Sequence, residues 1–206
     1  MKNKNLIYVI VTIIVIIGVF MINMLVSDNK EKEASQKLLS GKYYAEMEVK
    51  DYGTVTLELD ADIAPITVTN FVNLVKGGFY DGLTFHRIID GFMVQGGDPE
   101  GTGFGGSKET ITGEFAANGI KNEISHVRGV ISMARSENYN SASSQFFIMH
   151  QDRTSLDGQY AAFGRVISGM EVIDELVKVP VEENSDGAVL KENQPIIEKI
   201  EIITLQ

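Results

Sequence analysis

Residues 83–98 read LTFHRIIDGFMVQGGD, and this stretch carries the clearest fold signal in the chain. Two apolar segments flank Asp90-Gly91, a dipeptide that favours a two-residue turn between antiparallel strands. Side chains alternate between the two faces of a strand, so Arg87 should share one face with Phe85 and Ile89. We therefore predict a β-hairpin that places one arginine within an otherwise apolar strand.

Other stretches of the chain also carry strand signals. Residues 45–60, AEMEVKDYGTVTLELD, alternate on both sides of Asp51-Tyr52-Gly53 and predict a second hairpin. The same criteria predict further short strands at residues 130–134, 145–149, 162–166 and 198–205.

Two amphipathic helices are indicated in the same region. The first opens at Pro65, since proline suits the first helical turn, and Gly77-Gly78 closes it. The second covers residues 169–179, GMEVIDELVKV. Many short strands with only two helices are typical of a mainly β domain, and the pattern leaves a closed antiparallel barrel and a sandwich both open.

The N-terminal residues form a separate apolar segment. Residues 6–26 read LIYVIVTIIVIIGVFMINMLV, and a helix of this length, about 31 Å, could cross a bilayer core. Lys2 and Lys4 precede it, which by the positive-inside rule puts residues 1–5 in the cytoplasm and the rest of the chain outside the cell membrane. The alternative is secretion after signal-peptide cleavage, but signal peptides have shorter apolar regions and a small-residue cleavage site. We expect a membrane anchor over residues 1–26, a polar linker over residues 27–42 and one domain over residues 43–206.

The composition argues against several classes of function. Without Lys2 and Lys4, 16 basic residues face 28 acidic ones, a formal charge of −12 that disfavours a nucleic-acid partner. The chain has no cysteine and its three histidines lack metal-ligand spacing, so we expect no metal and no other cofactor. Residues 101–106, GTGFGG, match a dinucleotide fingerprint, but no helical pattern follows, which favours a glycine-rich loop.

Arg87 is the candidate functional residue with the most informative neighbours. Taken alone, it could simply project to solvent from an edge strand. Alternation in nearby strands pairs Met93 with Gln95, and Gln145 with Phe147, on single strand faces. Large apolar and amide side chains could therefore gather around the arginine, which weakens the solvent interpretation.

Three long blocks resemble the signatures of the cyclophilin family of peptidyl-prolyl cis-trans isomerases. They read FHRIIDGFMVQGGDP, SMARSENYNSASSQFFIM and LDGQYAAFGRVISGMEVID, at residues 85–99, 132–149 and 156–174. The resemblance runs from about residue 45 to residue 203 and suggests a bacterial-like, membrane-anchored member. It implies a closed eight-stranded antiparallel barrel capped by two α-helices, and we expect a monomer.

The resemblance also implies a catalytic residue. Arg87 matches the family's catalytic arginine, whose guanidinium donates to the prolyl nitrogen as the X-Pro bond twists. Gln95 matches the glutamine that orients this arginine and meets the substrate carbonyl. Because rotation breaks no bond and an arginine is always charged, the activity should vary little with pH.

The other matching residues are expected to bind an extended polypeptide. By resemblance, the pocket for the proline ring is formed by Phe92, Met93, Phe147 and Leu156. The groove for the residues before the proline is formed by Ala134, Arg135 and Gln145. Two further contacts come from His86 and Tyr160.

Three of the aligned positions depart from the family pattern. Ser155 occupies the position of a drug-contacting tryptophan, so tight cyclosporin binding is not expected. Tyr160 stands where many members have histidine, and its hydroxyl could still form a hydrogen bond. Arg135 stands where many have asparagine, which would favour acidic residues before the proline.

Two functions are compatible with these residues. The first is an isomerase that accelerates the folding of extracytoplasmic proteins, with proline-containing unfolded or extended polypeptides as partners. The alternative is a peptide-binding holdase in which isomerisation is incidental. The intact set of Arg87, Phe92, Gln95 and Phe147 favours the isomerase, because a pure binding module could afford to lose the arginine.

Overall fold

The computed structural model describes residues 37–205, and within that range no helix is long and apolar enough to cross a membrane. The predicted anchor over residues 1–26, and the predicted linker as far as residue 36, lie outside the described residues. Residues 37–41 contain no helix or strand, and the first strand begins at Lys42.

Eight strands form a single antiparallel sheet in the described part of the chain. Their order across the sheet is β3-β4-β6-β5-β7-β2-β1-β8. The sheet curls into a half-barrel, which confirms the prediction of a mainly β domain with eight antiparallel strands. The strands are β1 Lys42–Val49, β2 Gly53–Asp60, β3 Thr84–Ile89, β4 Met93–Asp98, β5 Val130–Met133, β6 Phe146–Met149, β7 Ala162–Ser168 and β8 Ile197–Ile203.

The two edges of the sheet, β3 and β8, are joined by isolated backbone contacts. The Phe85 N–H donates to the Pro195 oxygen at 3.0 Å, and the Ile197 N–H donates to the Leu83 oxygen at 2.7 Å. The chain just before β8 therefore covers the free edge of β3. The predicted continuous barrel is present only in part, because no ladder between β3 and β8 is found among the described strands.

Two α-helices pack against the sheet, as predicted. They are α1, Pro65–Lys76, and α2, Met170–Leu176. The second is shorter than residues 169–179: Gly169 adopts a left-handed φ of 84° before the helix starts, and the helix ends at Leu176. The buried face of α1 has the spacing of successive helical turns and consists of Thr67, Val68, Thr69, Phe71, Val72 and Val75.

A distant carboxylate caps the N-terminus of α1. The N-cap residue, Ala64, has no side chain that could accept the free backbone N–H groups. Glu114, 2% exposed, accepts instead from Ile66 N at 3.0 Å and from Thr67 N at 2.7 Å. The Thr67 hydroxyl donates to the same carboxylate at 2.6 Å. The helix start is thus tied to the loop that precedes β5.

Aromatic rings fill the interior of the half-barrel. The Phe71 ring on α1 lies 5.1 Å from Tyr80, 5.8 Å from Phe146 and 5.3 Å from Phe163, measured between centroids. The Tyr80 hydroxyl donates to the backbone oxygen of Ser144 at 3.0 Å, which satisfies the one polar group of the cluster. This packing binds the helix to strands β6 and β7.

The loop of the β3–β4 hairpin is one residue longer than predicted. Ile89 pairs with Met93, so residues 90–92 form a three-residue loop. Gly91 has a φ of 72°, the left-handed conformation that such loops need and that glycine adopts most easily. Phe92 consequently lies in the loop and not at the start of β4.

A β-bulge at His86 changes the face on which Arg87 lies. Phe85 pairs with Gly96 and Arg87 pairs with Gln95, which leaves His86 without a partner in the ladder. The bulge turns Phe85 into the interior, where it is fully buried, whereas the Arg87 side chain keeps 27% exposure. The prediction that Arg87 and Phe85 share a face is therefore wrong.

Candidate active site

Arg87 lies between two polar partners on the face of β3 away from the interior. Its Nη1 donates to Gln95 Oε1 at 3.3 Å and is 3.9 Å from the Met93 sulfur. Its Nε donates to the backbone oxygen of Asp186 at 2.8 Å, and its Nη2 donates to the Asp186 carboxylate at 2.6 Å. The oxygen contacts use three of the five N–H donors of the guanidinium, which leaves one donor on each Nη without an oxygen acceptor.

A chain of amide hydrogen bonds orients Gln95 toward Arg87. Gln145 Nε2 donates to the backbone oxygens of Gly103 and Gly105 at 3.0 and 2.7 Å. Carbonyl oxygens only accept, so the Gln145 amide has one orientation and its oxygen receives Gln95 Nε2 at 2.8 Å. The Gln95 oxygen is thereby left to accept from Arg87.

The glycine-rich segment at residues 101–106 is a loop held by Asp98. The Asp98 carboxylate, 1% exposed, accepts from the backbone N–H groups of Glu100 at 2.9 Å, Thr102 at 2.9 Å and Gly103 at 2.6 Å. Burial acts to raise the pKa of Asp98, but these backbone donors hold it below its usual value. The next α-helix along the chain begins only at Met170, which is not the arrangement of a dinucleotide-binding loop.

A pocket of about 340 Å³ with both apolar and polar walls opens beside Arg87. The rings of Phe147 and Tyr160 form part of its wall and meet edge to face, 5.7 Å apart. Nine residues besides Arg87 line it, and eight of them are predicted site residues: Phe92, Met93, Gln95, Ala134, Arg135, Phe147, Leu156, Tyr160 and, not predicted, Asp186.

A buried histidine supports this pocket from behind. The His126 ring stacks on Phe147 with centroids 6.0 Å apart and has no exposed surface. Its Nδ1 lies 2.9 Å from an Asp157 carboxylate oxygen and its Nε2 lies 3.0 Å from Ser132 Oγ. Burial lowers the pKa of His126 although Asp157 opposes this, so the ring is neutral with its proton on Nδ1, facing the carboxylate.

A second groove of about 350 Å³ adjoins the pocket. Gln95, Ala134 and Arg135 line both cavities, and Gln145 lines only the groove. Phe104 stands at its rim with 95% of its surface exposed. An extended polypeptide could therefore place neighbouring side chains in two connected cavities.

Arg135 is a fixed wall between the two cavities. Its guanidinium carbon lies 4.7 Å from the Tyr160 ring, 4.9 Å from Tyr139 and 5.1 Å from Phe115. Its Nε and Nη2 both donate to the Gln159 backbone oxygen, at 3.0 and 2.9 Å. Cation–π contacts and hydrogen bonds together restrict this side chain to one position.

Comparison with known proteins identifies the family. Residues 44–204 match the family described as cyclophilin type peptidyl-prolyl cis-trans isomerase/CLD. The chain belongs to the cyclophilin-type peptidyl-prolyl cis-trans isomerases. The predicted family is therefore confirmed.

Relatives of this cyclophilin come from several kingdoms. It is 42% identical over 155 residues to peptidyl-prolyl cis-trans isomerase-like 2 of Rhizopus delemar, a match covering 74% of this chain and 28% of that protein. The chain thus spans less than a third of the length of the fungal relatives it matches. It is also 46% identical over 136 residues to peptidyl-prolyl cis-trans isomerase A of Dickeya dadantii, covering 63% and 69% of the two chains. Fungal and bacterial matches of similar strength do not single out a bacterial branch.

Solved cyclophilin structures share the fold. A cyclophilin-type isomerase of Cryptosporidium parvum matches with a TM-score of 0.71 and 30% identity, covering 81% of this chain and 100% of that one. A second structure of that protein, determined in the presence of the dipeptide Ala-Pro, matches with a TM-score of 0.70 and 32% identity, covering 79% and 99%.

His86 is the predicted binding residue that lies apart from the cyclophilin pocket. It is 5% exposed and lines neither the pocket nor the adjoining groove. Neither ring nitrogen has a hydrogen-bond partner among the described residues. Burial lowers the pKa of His86; the charge of Asp98 acts to raise it, and the charge of Arg87 acts to lower it further. The ring is therefore neutral and buried at the bulge.

Asp186 is the site residue that the sequence did not reveal. It lies between α2 and β8 in a stretch without helical or strand periodicity. The only available signal was the dipeptide Asp186-Gly187, which indicates a turn and says nothing about which side chain the turn approaches. Ser155, the aligned tryptophan position, is exposed in the turn that carries the pocket residue Leu156.

Proposed function

We propose that this cyclophilin catalyses cis–trans isomerisation of X-Pro bonds in extended polypeptides, with Arg87 as its catalytic residue. The observation that supports this most directly is the location of the Arg87 guanidinium in the same pocket as a group of apolar side chains that could receive a proline ring: Phe92, Met93, Phe147 and Leu156. Rotation about an X-Pro bond is slow because the amide has partial double-bond character, with a barrier of ~18–20 kcal/mol. The chain must therefore bind the twisted amide more tightly than the planar one.

The proposed mechanism needs no nucleophile and no proton transfer. As the amide twists, the prolyl nitrogen loses conjugation and gains a lone pair that can accept a hydrogen bond. The free Nη donors of Arg87 supply that bond while the pocket holds the ring. Gln95 keeps the guanidinium oriented before the substrate arrives, so little reorganisation is required during the rotation.

Substitution of Arg87 tests the proposal. With the full chain in detergent micelles, Arg87→Ala should lower kcat/KM for a short X-Pro peptide at least ten-fold, about 1.4 kcal/mol of transition-state stabilisation. The kcat/KM of Arg87→Lys should lie between those of the wild type and Arg87→Ala, because lysine keeps the charge and lacks the planar set of donors. Arg165→Ala is the control, since Arg165 pairs with Glu58 on β2 and does not line the pocket. An Arg87→Ala variant as active as the wild type would exclude the proposed mechanism.

The holdase alternative predicts a different outcome for the same variant. A holdase would suppress the aggregation of an unfolded proline-containing client equally well with and without the Arg87 guanidinium. An isomerase would lose its acceleration of proline-limited refolding in Arg87→Ala. Measuring both effects with one client protein separates the two functions.

We further propose that residues 6–26 anchor the chain in the cell membrane, with the catalytic domain outside the cytoplasm. The length and apolar character of this segment and the position of Lys2 and Lys4 support the proposal. An alkaline phosphatase fused to the C-terminus should be active and membrane-bound. A green fluorescent protein fused at the same place should not fluoresce after export. A soluble, active phosphatase fusion would instead support cleavage and secretion.

A further inference from the structure

We propose that Asp186 is a positioning residue that acts on the reaction through Arg87. This inference rests on the proposed function of Arg87. Gln95 holds the guanidinium at Nη1, and Asp186 holds the opposite edge through both its backbone oxygen and its carboxylate. The arginine is therefore fixed from two sides by groups on two different segments of the chain.

The backbone next to Asp186 explains why the carboxylate stands at this place. The Ile88 N–H donates to the Gly187 oxygen at 2.7 Å, and the Val189 N–H donates to the His86 oxygen at 2.9 Å. These bonds fasten the loop to β3 at the two residues that flank Arg87. The approach of Asp186 to the guanidinium is thus set by main-chain pairing, independently of the ion pair.

Gly187 permits this close approach. It has a φ of 79°, and a Cβ built on it would lie 2.5 Å from the Ile88 oxygen, so a side chain there would force the loop away from β3. Any larger residue would move the adjacent carboxylate from Arg87. Asp186 and Gly187 therefore act as one unit that presents an acid to the guanidinium.

The ion pair between Asp186 and Arg87 contributes more to the orientation of the guanidinium than to the stability of the fold. The Asp186 side chain is 86% exposed, and ion pairs in such positions add little to the free energy of folding. An arginine side chain has many accessible rotamers, however, and a donor held in one of them needs less reordering in the transition state. Loss of the carboxylate should therefore lower kcat and leave the fold intact.

Kinetics of the full chain test the proposal. Asp186→Asn should lower kcat for an X-Pro peptide by about three- to ten-fold with KM changed less than about two-fold, and Asp186→Ala should lower it further. Gly187→Ala, which retains the carboxylate but displaces it, should reproduce the loss. Glu183→Gln is the matched control, because it removes an exposed acid of the same loop that does not line the pocket.

A second readout does not depend on activity. The Arg87 Nε–H resonance in the NMR spectrum should shift and broaden in Asp186→Asn as the side chain samples more rotamers, and remain unchanged in Glu183→Gln. Unaltered kcat in Asp186→Asn would overturn the positioning role, whatever the resonance does. An unaltered resonance, or a loss of kcat that Glu183→Gln reproduces, would overturn it as well.

The two proposals fail in different ways. A wild-type chain without isomerase activity would reject the proposed function, whatever the Asp186 variants do. An active wild type with a fully active Asp186→Asn variant would reject only the role of Asp186.

Discussion

Gln145 sets the direction of the hydrogen bonds that lead from the glycine-rich loop to Arg87. Its amide nitrogen donates to two loop carbonyl oxygens, and its amide oxygen accepts from the Gln95 side-chain nitrogen. Reversal of this one amide would turn a donor of Gln95 toward Arg87, which has only donors to offer. A residue that does not touch the guanidinium thus decides whether Gln95 can orient it.

Substitution of Gln145 by glutamate should therefore impair catalysis. A carboxylate cannot donate to the carbonyls of Gly103 and Gly105, and we expect kcat/KM to fall about ten-fold or more. Gln159→Glu adds the same charge at an exposed position outside the chain of amide bonds and should have little effect. Equal losses in both variants would assign the effect to charge and contradict the role of donor direction.

The grouping of the candidate residues around one pocket was predicted more accurately than the strand faces on which they lie. The resemblance placed Arg87 with Phe92, Met93 and Phe147, and these residues do line one pocket. Strict alternation failed at His86, because the bulge there arises from the register of β3 against β4. A single strand sequence does not contain that register.

At the level of elements, α1 depends on an acid that is distant in sequence. Glu114→Gln should lower the free energy of unfolding by about 1–3 kcal/mol, because an amide presents an N–H to the backbone donors of Ile66 and Thr67. Urea denaturation would measure the loss. Glu109→Gln, an exposed neighbour, should stay within about 0.5 kcal/mol of the wild type. Identical unfolding midpoints for the two variants would show that the cap contributes nothing.

Elements with strong local signals were predicted within a few residues. The β1–β2 hairpin turns at Asp51, with a φ of 67°, and Gly53, with a φ of 119°, where the sequence indicated a turn. Helix α1 begins at Pro65 and ends just before Gly77, as its proline and glycines indicate. The cap from Glu114 could not be predicted, since no local pattern relates an acid to a helix so far along the chain.

At the level of the whole molecule, buried histidines should make stability depend on pH. Burial lowers the pKa of both His86 and His126, so the folded state keeps them neutral while the unfolded chain binds protons below about pH 6.5. The free energy of unfolding should therefore fall as the pH is lowered from about 7.5 to about 5.5. His86→Gln, which removes one of the two titrating groups, should make this fall smaller. A free energy of unfolding that is constant over this range would contradict the prediction.

At more acidic pH, the free energy of unfolding should depend on the protonation of hydrogen-bonded carboxylates. Hydrogen bonds hold the pKa values of Asp60, Asp98 and Asp157 below their usual range although burial opposes this. Their contribution is present above the unfolded value of about 3.9 and is lost as the pH falls through the lower folded values. The histidine and carboxylate windows can thus be measured separately in one titration of unfolding.

The overall architecture was predicted from the resemblance, but the contact between the two edges of the sheet was not. The eight strands and two helices agree with the family fold, whereas the contact of β3 with the chain before β8 lies in a region without periodicity. Asp186 belongs to that region, which is why this contact of Arg87 was absent from the predicted site. Long-range pairing of irregular segments is the part of a fold that local sequence patterns describe least.

The position of β1 between β2 and β8 has a consequence for the synthesis of the protein. Tyr44 pairs with Ile203, so the first strand of the domain to leave the ribosome must wait for the last before the sheet is complete. Contacts between such distant segments slow folding, because a long loop must close before they form. Until translation ends, β1 presents an unpaired edge on one side, and during that interval the nascent chain itself needs protection from aggregation.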